Sequence, residues 1–546
     1  MNDINSDDLI EELKFDIKTN DLIKARLVMA HLPEVSENIQ KIVFLCLSQA
    51  KDTFTAQLII SLLADHPEFG EQFPMLKEII YSKFLSNPDI LTNLFLKETK
   101  SQNRIILAEI AGEMRMEQAA PILLGIINAE QDEKMLCRAI EALGMIGDVS
   151  ATSPISEYLY SNNVELTIAA IYALGQFSTP TAIQRLSEKL GADPDLDIMI
   201  LDVFHHSQMP EALEKLNETL SAHWAHTRNA AKQRLVQIGA KAVPELIKNL
   251  RYDDPDLLIH TLNVLGEIGD ESAIAAIRKL LFKDPKDANV RFAAYEALGL
   301  LPVSKGAVTL AAGLNDPVEN VRTAAANAIN HNYNAVLAAG LKNMIREENS
   351  ESEQICKTII TAQCDTIFLD LIQEDSFVTM AMEFLNQHAH PDVKSYYIRL
   401  LNENGHISLA DKLKSSETTV IKESTILRIF AVDDSKMILN IYRSALHDLG
   451  YEPVLFEFPA DAVKAIEHEH PAAILTDLNM PDINGIELTR QIRKIHDKDA
   501  LPIIMVTTQN EVNDNEAALA AGVNGIIRKP FTAENLAKAL GDWANL

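Results

Sequence analysis

The stretch "AILTDLNMPDING" runs from Ala473 to Gly485. Its first half is an apolar run of strand length that stops on a carboxylate, Asp477. Its second half, with Asn479, Pro481, Asp482, Asn484 and Gly485, is turn chemistry. A buried strand gains nothing from a charge at its tip unless the tip is where the chemistry lies. Outward from this stretch, short apolar runs alternate with amphipathic helical patterns. "ILRIFAVDD" (426–434), "EPVLFEF" (452–458), "AAILTD" (472–477), "LPIIMVT" (501–507) and "NGIIRK" (524–529) read as strands. Helical patterns fill 435–450, 460–469, 486–496, 512–521 and 533–544. Five such units predict a doubly wound α/β domain with a parallel sheet, whose ligands bind at the carboxyl ends of the strands.

The residues at those ends form a set. The first strand ends at Asp433 and Asp434, the third at Asp477, the fourth at Thr507 and the fifth at Lys529, followed by Pro530. Three carboxylates on one rim repel and raise one another's pKa values. A hard divalent cation resolves this, and oxygen-only ligation suits magnesium. The lysine adds a second positive charge, and the threonine hydroxyl completes a site that could hold a phosphoryl group. Taken singly, Asp433 and Asp434 also read as caps of the following helix.

This constellation resembles the receiver (CheY-like) domain of two-component response regulators, across about residues 426–546. The resemblance implies a flavodoxin-like fold with strand order 2-1-3-4-5. It implies Asp477 as phosphoacceptor, taking its phosphoryl group from a sensor histidine kinase or a phosphotransfer protein. Asp434 and Asp477 would ligate magnesium directly, Asp433 through water and Asn479 through its backbone carbonyl. Thr507 would hydrogen-bond the phosphoryl oxygen and Lys529 would pair with it, across a cis Lys529–Pro530 bond. Asn479 and Gln509 stand where the family tunes dephosphorylation. One position departs from the pattern. Many receivers carry an aromatic residue three positions before the lysine, and here that position is Ile526.

A repeat array precedes this domain. "ANVRFAAYEALG" (288–299) and "ENVRTAAANAIN" (319–330) are offset by 31 residues, as are the "ALG" glycines Gly144 and Gly175. Asp-Pro prolines at 194, 255, 285 and 317 lie 61, 30 and 32 apart, which is two periods and then one and one. Each period holds two amphipathic helical patterns. The Asp-Pro pair reads as a turn and helix start, and the glycine as a left-handed cap or a close helix crossing. A helix pair of this size buries its apolar face only by stacking on neighbours, so a curved solenoid is expected. The pattern resembles HEAT repeats of the short kind seen in phycobilisome-lyase-like proteins. It is clear at 101–335, with irregular helical repeats or caps at 1–100 and 336–413. A polar Ser/Thr-rich linker occupies 414–425, before the domain at 426–546.

Such arrays bind proteins along a long face, so the expected output is a protein partner of the solenoid, of unknown identity. Two other readings stand beside it: a constitutive scaffold whose receiver is a phosphate sink, and a bilin lyase-like protein. No nucleophile, metal set or carboxylate pair clusters in the repeats, and the chain reads as a non-enzyme apart from its own phosphorylation chemistry. His205–His206, His388 with His390, and His468 with His470 lack partners at zinc-ligand spacing. The formal net charge of −29 argues against nucleic acid and anionic membranes as partners. Four cysteines without a CxxC pair read as buried free thiols. The acidic N-terminus and the lack of an 18-residue apolar run point to a cytoplasmic protein without a membrane span.

Overall fold

The computed structural model describes residues 6–222, 225–302, 307–415, 427–466, 468–478, 480, 483–507, 512–529 and 531–544. The chain divides into two compact units, Met1–Leu216 and Asn217–Leu546. In the first unit the helices Ser101–Glu113, Glu133–Ile146, Val164–Phe177 and Pro194–Ser207 stack one on the next. In the second unit Ala225–Ile238, Pro255–Ile268, Ala288–Leu300, Glu319–His331 and Ser350–Thr361 do the same. Each is followed by a shorter helix that closes its repeat, such as Ile274–Phe282 after Pro255–Ile268. The repeating helical solenoid expected from the 31-residue period is therefore present.

The punctuation of the repeats has two forms. Pro194 and Pro255 begin their helices, and the preceding Asp193 and Asp254 each accept two backbone N–H bonds as N-caps. Pro285 and Pro317 do not begin helices, which start at Ala288 and Glu319 instead. There the motif's arginines hold the turns. Arg291 Nη1 donates to the Pro285 carbonyl at 2.7 Å, and Arg322 Nη1 donates to the Asp316 and Pro317 carbonyls. The Arg291 guanidinium also pairs with the Asp316 carboxylate through Nε (2.7 Å) and Nη2 (3.1 Å), tying one repeat to the next.

The "ALG" glycines lie inside the helices, and the close crossing explains them. A Cβ on Gly144 would stand 2.7 Å from Ala173 Cα, and one on Gly266 3.0 Å from Ala297 Cα. The left-handed caps fall later, at Gly147 and Gly269. Since Gly144 meets backbone rather than a flexible side chain, Gly144→Val forces the two helices apart. It should lower unfolding stability by about 1–3 kcal/mol. Urea unfolding of the full chain, followed by far-UV circular dichroism, measures this.

The C-terminal part holds a five-stranded parallel sheet of order β2-β1-β3-β4-β5. Its strands are β1 Arg428–Val432, β2 Glu452–Phe456, β3 Ala473–Asp477, β4 Ile503–Thr507 and β5 Gly525–Arg528. The register pairs Val432 with Phe456 and Thr476, and Asp477 with Val506, so the strand ends form one rim. β3 and β4 are buried along their whole length, as near-continuous apolar runs covered on both faces require. The helices Lys436–Asp448, Pro459–Ile466, Gly485–Arg493, Val512–Ala521 and Ala533–Ala544 follow the strands in alternation. Phe430, Val432, Ile474, Leu488, Ile492 and Ile503 form one core, while Leu478, Met505, Ala518 and Val523 form another. β1 lies between β2 and β3, so the strand order reverses there and leaves a crevice beyond its carboxyl end.

The four cysteines are free, and Cys356 and Cys364 are buried. No helix among the described residues is long and apolar enough to cross a membrane. Most of the linker at 414–425 lies outside the described residues.

Candidate functional site at the sheet rim

The crevice is where the expected side chains meet. Asp433 follows β1 and is fully buried. Its Oδ1 accepts the Ser435 N–H at 3.0 Å, which aims Oδ2 into the crevice. Ser435 caps the Lys436–Asp448 helix by accepting from the Ile438 N–H, so Asp433 itself is free of that role. Asp477 ends β3 and is 7 % exposed; Thr507 ends β4 and is buried. Lys529 follows β5, and its Nζ lies 2.5 Å from Asp433 Oδ2 and 2.8 Å from Asp477 Oδ1. Asp434, next in the chain, is exposed and close enough to feel the charges of Asp477 and Lys529. The structure thus brings Asp433, Asp477 and Lys529 into direct contact. Asn479, Gln509 and Pro530 lie outside the described residues.

The electrostatics follow from three carboxylates sharing one ammonium. Burial pushes the Asp433 carboxyl up to about 6, with Asp477 adding to the rise, against the pull of Lys529. Burial also raises Asp434, again with Asp477 adding to it. Burial works against the charge on Lys529, but Asp477 and Asp433 hold its ammonium well above the ordinary lysine pKa. The ammonium stays charged and the rim keeps a net negative charge.

That surplus is what a cation would offset. Among the described residues no group of three or more His, Cys, Asp or Glu side chains is drawn together as a ready-made chelate. Lys529 instead spans the Asp433–Asp477 pair. The donor set is nonetheless all oxygen, anionic and confined to one rim, which fits magnesium and does not fit a soft metal.

The backbone at Gly485, where the next helix begins, lies close against the end of β3. Gly485 N–H donates to the Leu478 carbonyl at 2.9 Å, and a Cβ on Gly485 would stand 2.1 Å from the Asp477 carbonyl oxygen. Glycine there lets the helix start pass directly under the Asp477 backbone. Asn484 caps that helix by accepting the Glu487 N–H at 2.8 Å. Ile526, at the position many receivers give to an aromatic residue, packs against the Leu478–Met505–Ala518–Val523 cluster.

Several residues at the site were not foreseen. Tyr442 is fully buried, with its hydroxyl unpartnered among the described residues, and it feels the charges of Lys529, Asp433 and Asp477. Its ring stacks on Phe531, with centroids 4.8 Å apart and planes at 17°. In sequence Tyr442 is one more member of an amphipathic stripe, with nothing to single it out. Glu296 comes from the Ala288–Leu300 helix of the solenoid. Burial, with help from Asp433 and Asp434 and against Lys529, lifts its carboxyl to about 7.

Comparison with known proteins agrees with this geometry. Residues 429–541 match the response regulator receiver domain, and residues 120–199 and 243–330 match HEAT repeats. The chemotaxis protein CheY homolog of Campylobacter jejuni is 37% identical over 118 residues, which span 21% of this chain and 91% of that protein. Chemotaxis protein CheY1 of Helicobacter pylori is 37% identical over 116 residues, 21% of this chain and 94% of that protein. The response regulator MprA of Mycobacterium leprae is 34% identical over 110 residues, 20% of this chain and 47% of that protein.

Proposed function

The chain belongs to the response regulator receiver family, and from that premise we propose that Asp477 is its phosphoacceptor and the HEAT solenoid its output. The observation that carries this is the buried Lys529 ammonium held between Asp433 and Asp477. An Asp477 oxygen attacks the phosphorus of a phosphohistidine on a sensor kinase or phosphotransfer protein. A P–O bond forms, the P–N bond breaks, and its electron pair returns to the imidazole. The product on this chain is an aspartyl phosphate. Lys529, already within 2.8 Å of Asp477, pairs with a phosphoryl oxygen, and the Thr507 hydroxyl donates to another. A magnesium ion held by Asp433, Asp434, Asp477 and the Asn479 carbonyl would neutralise charge on the transferring group. The residues do little covalent work beyond Asp477; they position and neutralise.

The protein therefore catalyses only its own modification. Its effect on the cell passes through proteins that bind the solenoid, in the cytoplasm where its kinase domain partners act. Labelling by acetyl phosphate in magnesium tests this reading. Chelating the metal with EDTA should cut the labelling rate by about 100-fold or more. Metal-independent labelling, or none in the presence of magnesium, contradicts it.

A further inference from the structure

We propose that the cleft between the Glu319–His331 and Lys436–Asp448 helices binds a small carboxylate, with the Arg322 guanidinium as its anchor. The proposal is independent of the phosphoacceptor reading of Asp477.

Two consecutive repeats differ at one edge of the same arginine. Arg291 and Arg322 lie 31 residues apart, each the fourth residue of its helix. Both use Nη1 to hold the preceding turn. Arg291 donates to the Pro285 and Lys286 carbonyls, and Arg322 to the equivalent Asp316 and Pro317 carbonyls. On the other edge, Arg291 grips the Asp316 carboxylate through Nε at 2.7 Å and Nη2 at 3.1 Å. The residue 31 positions after Asp316 is Glu347, and its carboxylate accepts from Asn349 Nδ2 at 3.1 Å instead. Arg322 therefore has no carboxylate partner among the described residues, and its buried Nε has no acceptor there. The Asp316 hydrogen bonds hold the Arg291 guanidinium above the ordinary arginine value, whereas burial draws Arg322 below it. The unpaired edge has the shape that takes a planar carboxylate through two parallel N–H bonds.

That arginine lines a cleft of about 260 Å³, a volume suited to a metabolite-sized ligand. Thr323 lines it from the same helix, and Asn440 and Ser444 line it from Lys436–Asp448. Thr323 is only 4 % exposed, and its hydroxyl has no partner among the described residues. Asn440 Oδ1 accepts from Arg443 at 2.7 Å, which leaves its amide N–H groups as donors. Asn320 Nδ2 is engaged by the Phe531 carbonyl at 2.9 Å and fixes the third wall. The Glu319–His331 helix starts at the cleft without a side-chain N-cap, so its partial positive charge adds to that of Arg322.

Charge sets the class of anion. Glu319 also lines the cleft and opposes a second negative charge on the ligand. A carboxylate carries one charge, and inorganic phosphate carries more at neutral pH. A carboxylate seated here meets the solenoid through Arg322 and Thr323 and the receiver through Asn440 and Ser444. Its binding therefore ties these two parts of the chain together.

The test is isothermal titration calorimetry of the full chain with acetate, lactate and inorganic phosphate at constant ionic strength. Magnesium is left out, so the phosphorylation rim stays anionic and offers no second anion site. Acetate and lactate should bind saturably at one site per chain, with phosphate weaker by about threefold or more. Arg322→Lys keeps the charge but loses the paired N–H bonds, and should weaken binding by about tenfold. Arg322 also holds its turn, so Thr323→Val and Ser444→Ala serve as variants that leave the turn intact. Each removes one hydroxyl and should weaken lactate binding by about three- to tenfold. Hydrogen exchange at saturating lactate should slow together in 319–331 and 436–448. No saturable carboxylate binding to the wild type overturns the proposal. So does unchanged affinity in both Thr323→Val and Ser444→Ala, or protection confined to other segments, because the anion then sits elsewhere. Phosphate binding tighter than either carboxylate overturns the choice of ligand and the proposal with it.

Discussion

Asp477→Asn should abolish labelling by acetyl phosphate in magnesium while leaving the chain folded. The amide is nearly the same size as the carboxylate, so the β3 backbone and its pairing with β4 are retained. What would be lost is the oxygen proposed as the nucleophile. The substitution also removes one of the carboxylates that share Lys529, so it eases the crowding of negative charge on the rim. The unfolding midpoint of the metal-free chain should therefore stay equal or rise. Loss of labelling with unchanged or higher stability separates a chemical role from a structural one. A variant that loses both says only that the strand end was disrupted.

Lys529→Met has the opposite signature. It keeps much of the side-chain volume but leaves the buried Asp433 and its neighbour Asp477 without the ammonium between them. Removing one partner of a buried ion pair costs about 3–5 kcal/mol. At pH 7.5, without magnesium, the receiver should be destabilised by that order. Urea unfolding followed through Trp543, in a Trp224→Phe background, reads the receiver directly. Trp543 packs on β5, where a Cβ on Gly525 would stand 2.0 Å from its ring.

The pH dependence has a defined sign. Burial already raises Asp433 from 3.8 to about 6 with Lys529 present. A carboxyl raised on folding binds its proton more tightly in the native state, so its contribution to stability falls as pH rises through that window. Without Lys529 the rise is larger. The penalty in Lys529→Met should thus be greatest at neutral pH and shrink as pH falls toward 4. A penalty that is independent of pH would mean that packing, not charge, is what Lys529 supplies.

Much of this site was legible because parallel strands buried on both faces are apolar until they end. A polar residue then marks the rim, and Asp433, Asp477, Thr507 and Lys529 each follow such a run. The repeat stacking was legible for a related reason, since it follows from periodicity, whereas the strand order came from the family resemblance. The less legible features depend on what one segment meets in another. The Asp-Pro pairs look alike, yet two begin helices and two sit in turns tied by Arg291 and Arg322. The "ALG" glycines look like helix ends, yet Gly144 and Gly266 are points where a neighbouring backbone passes. Glu296 and Asn320 sit in Ala-rich repeat helices whose pattern marks them only as polar positions. Tyr442 hides in an apolar stripe. Their relation to the rim comes from tertiary packing, which no local period encodes.

The position of the acyl phosphate is the most direct measurement. The full chain is labelled with acetyl phosphate and magnesium, reduced with borohydride to convert aspartyl phosphate to homoserine, digested and sequenced by mass spectrometry. Homoserine in place of Asp477, and at no other aspartate, is the expected result. Conversion at Asp433 or Asp434 instead, or no conversion although magnesium is bound, would contradict the assignment of Asp477 as phosphoacceptor.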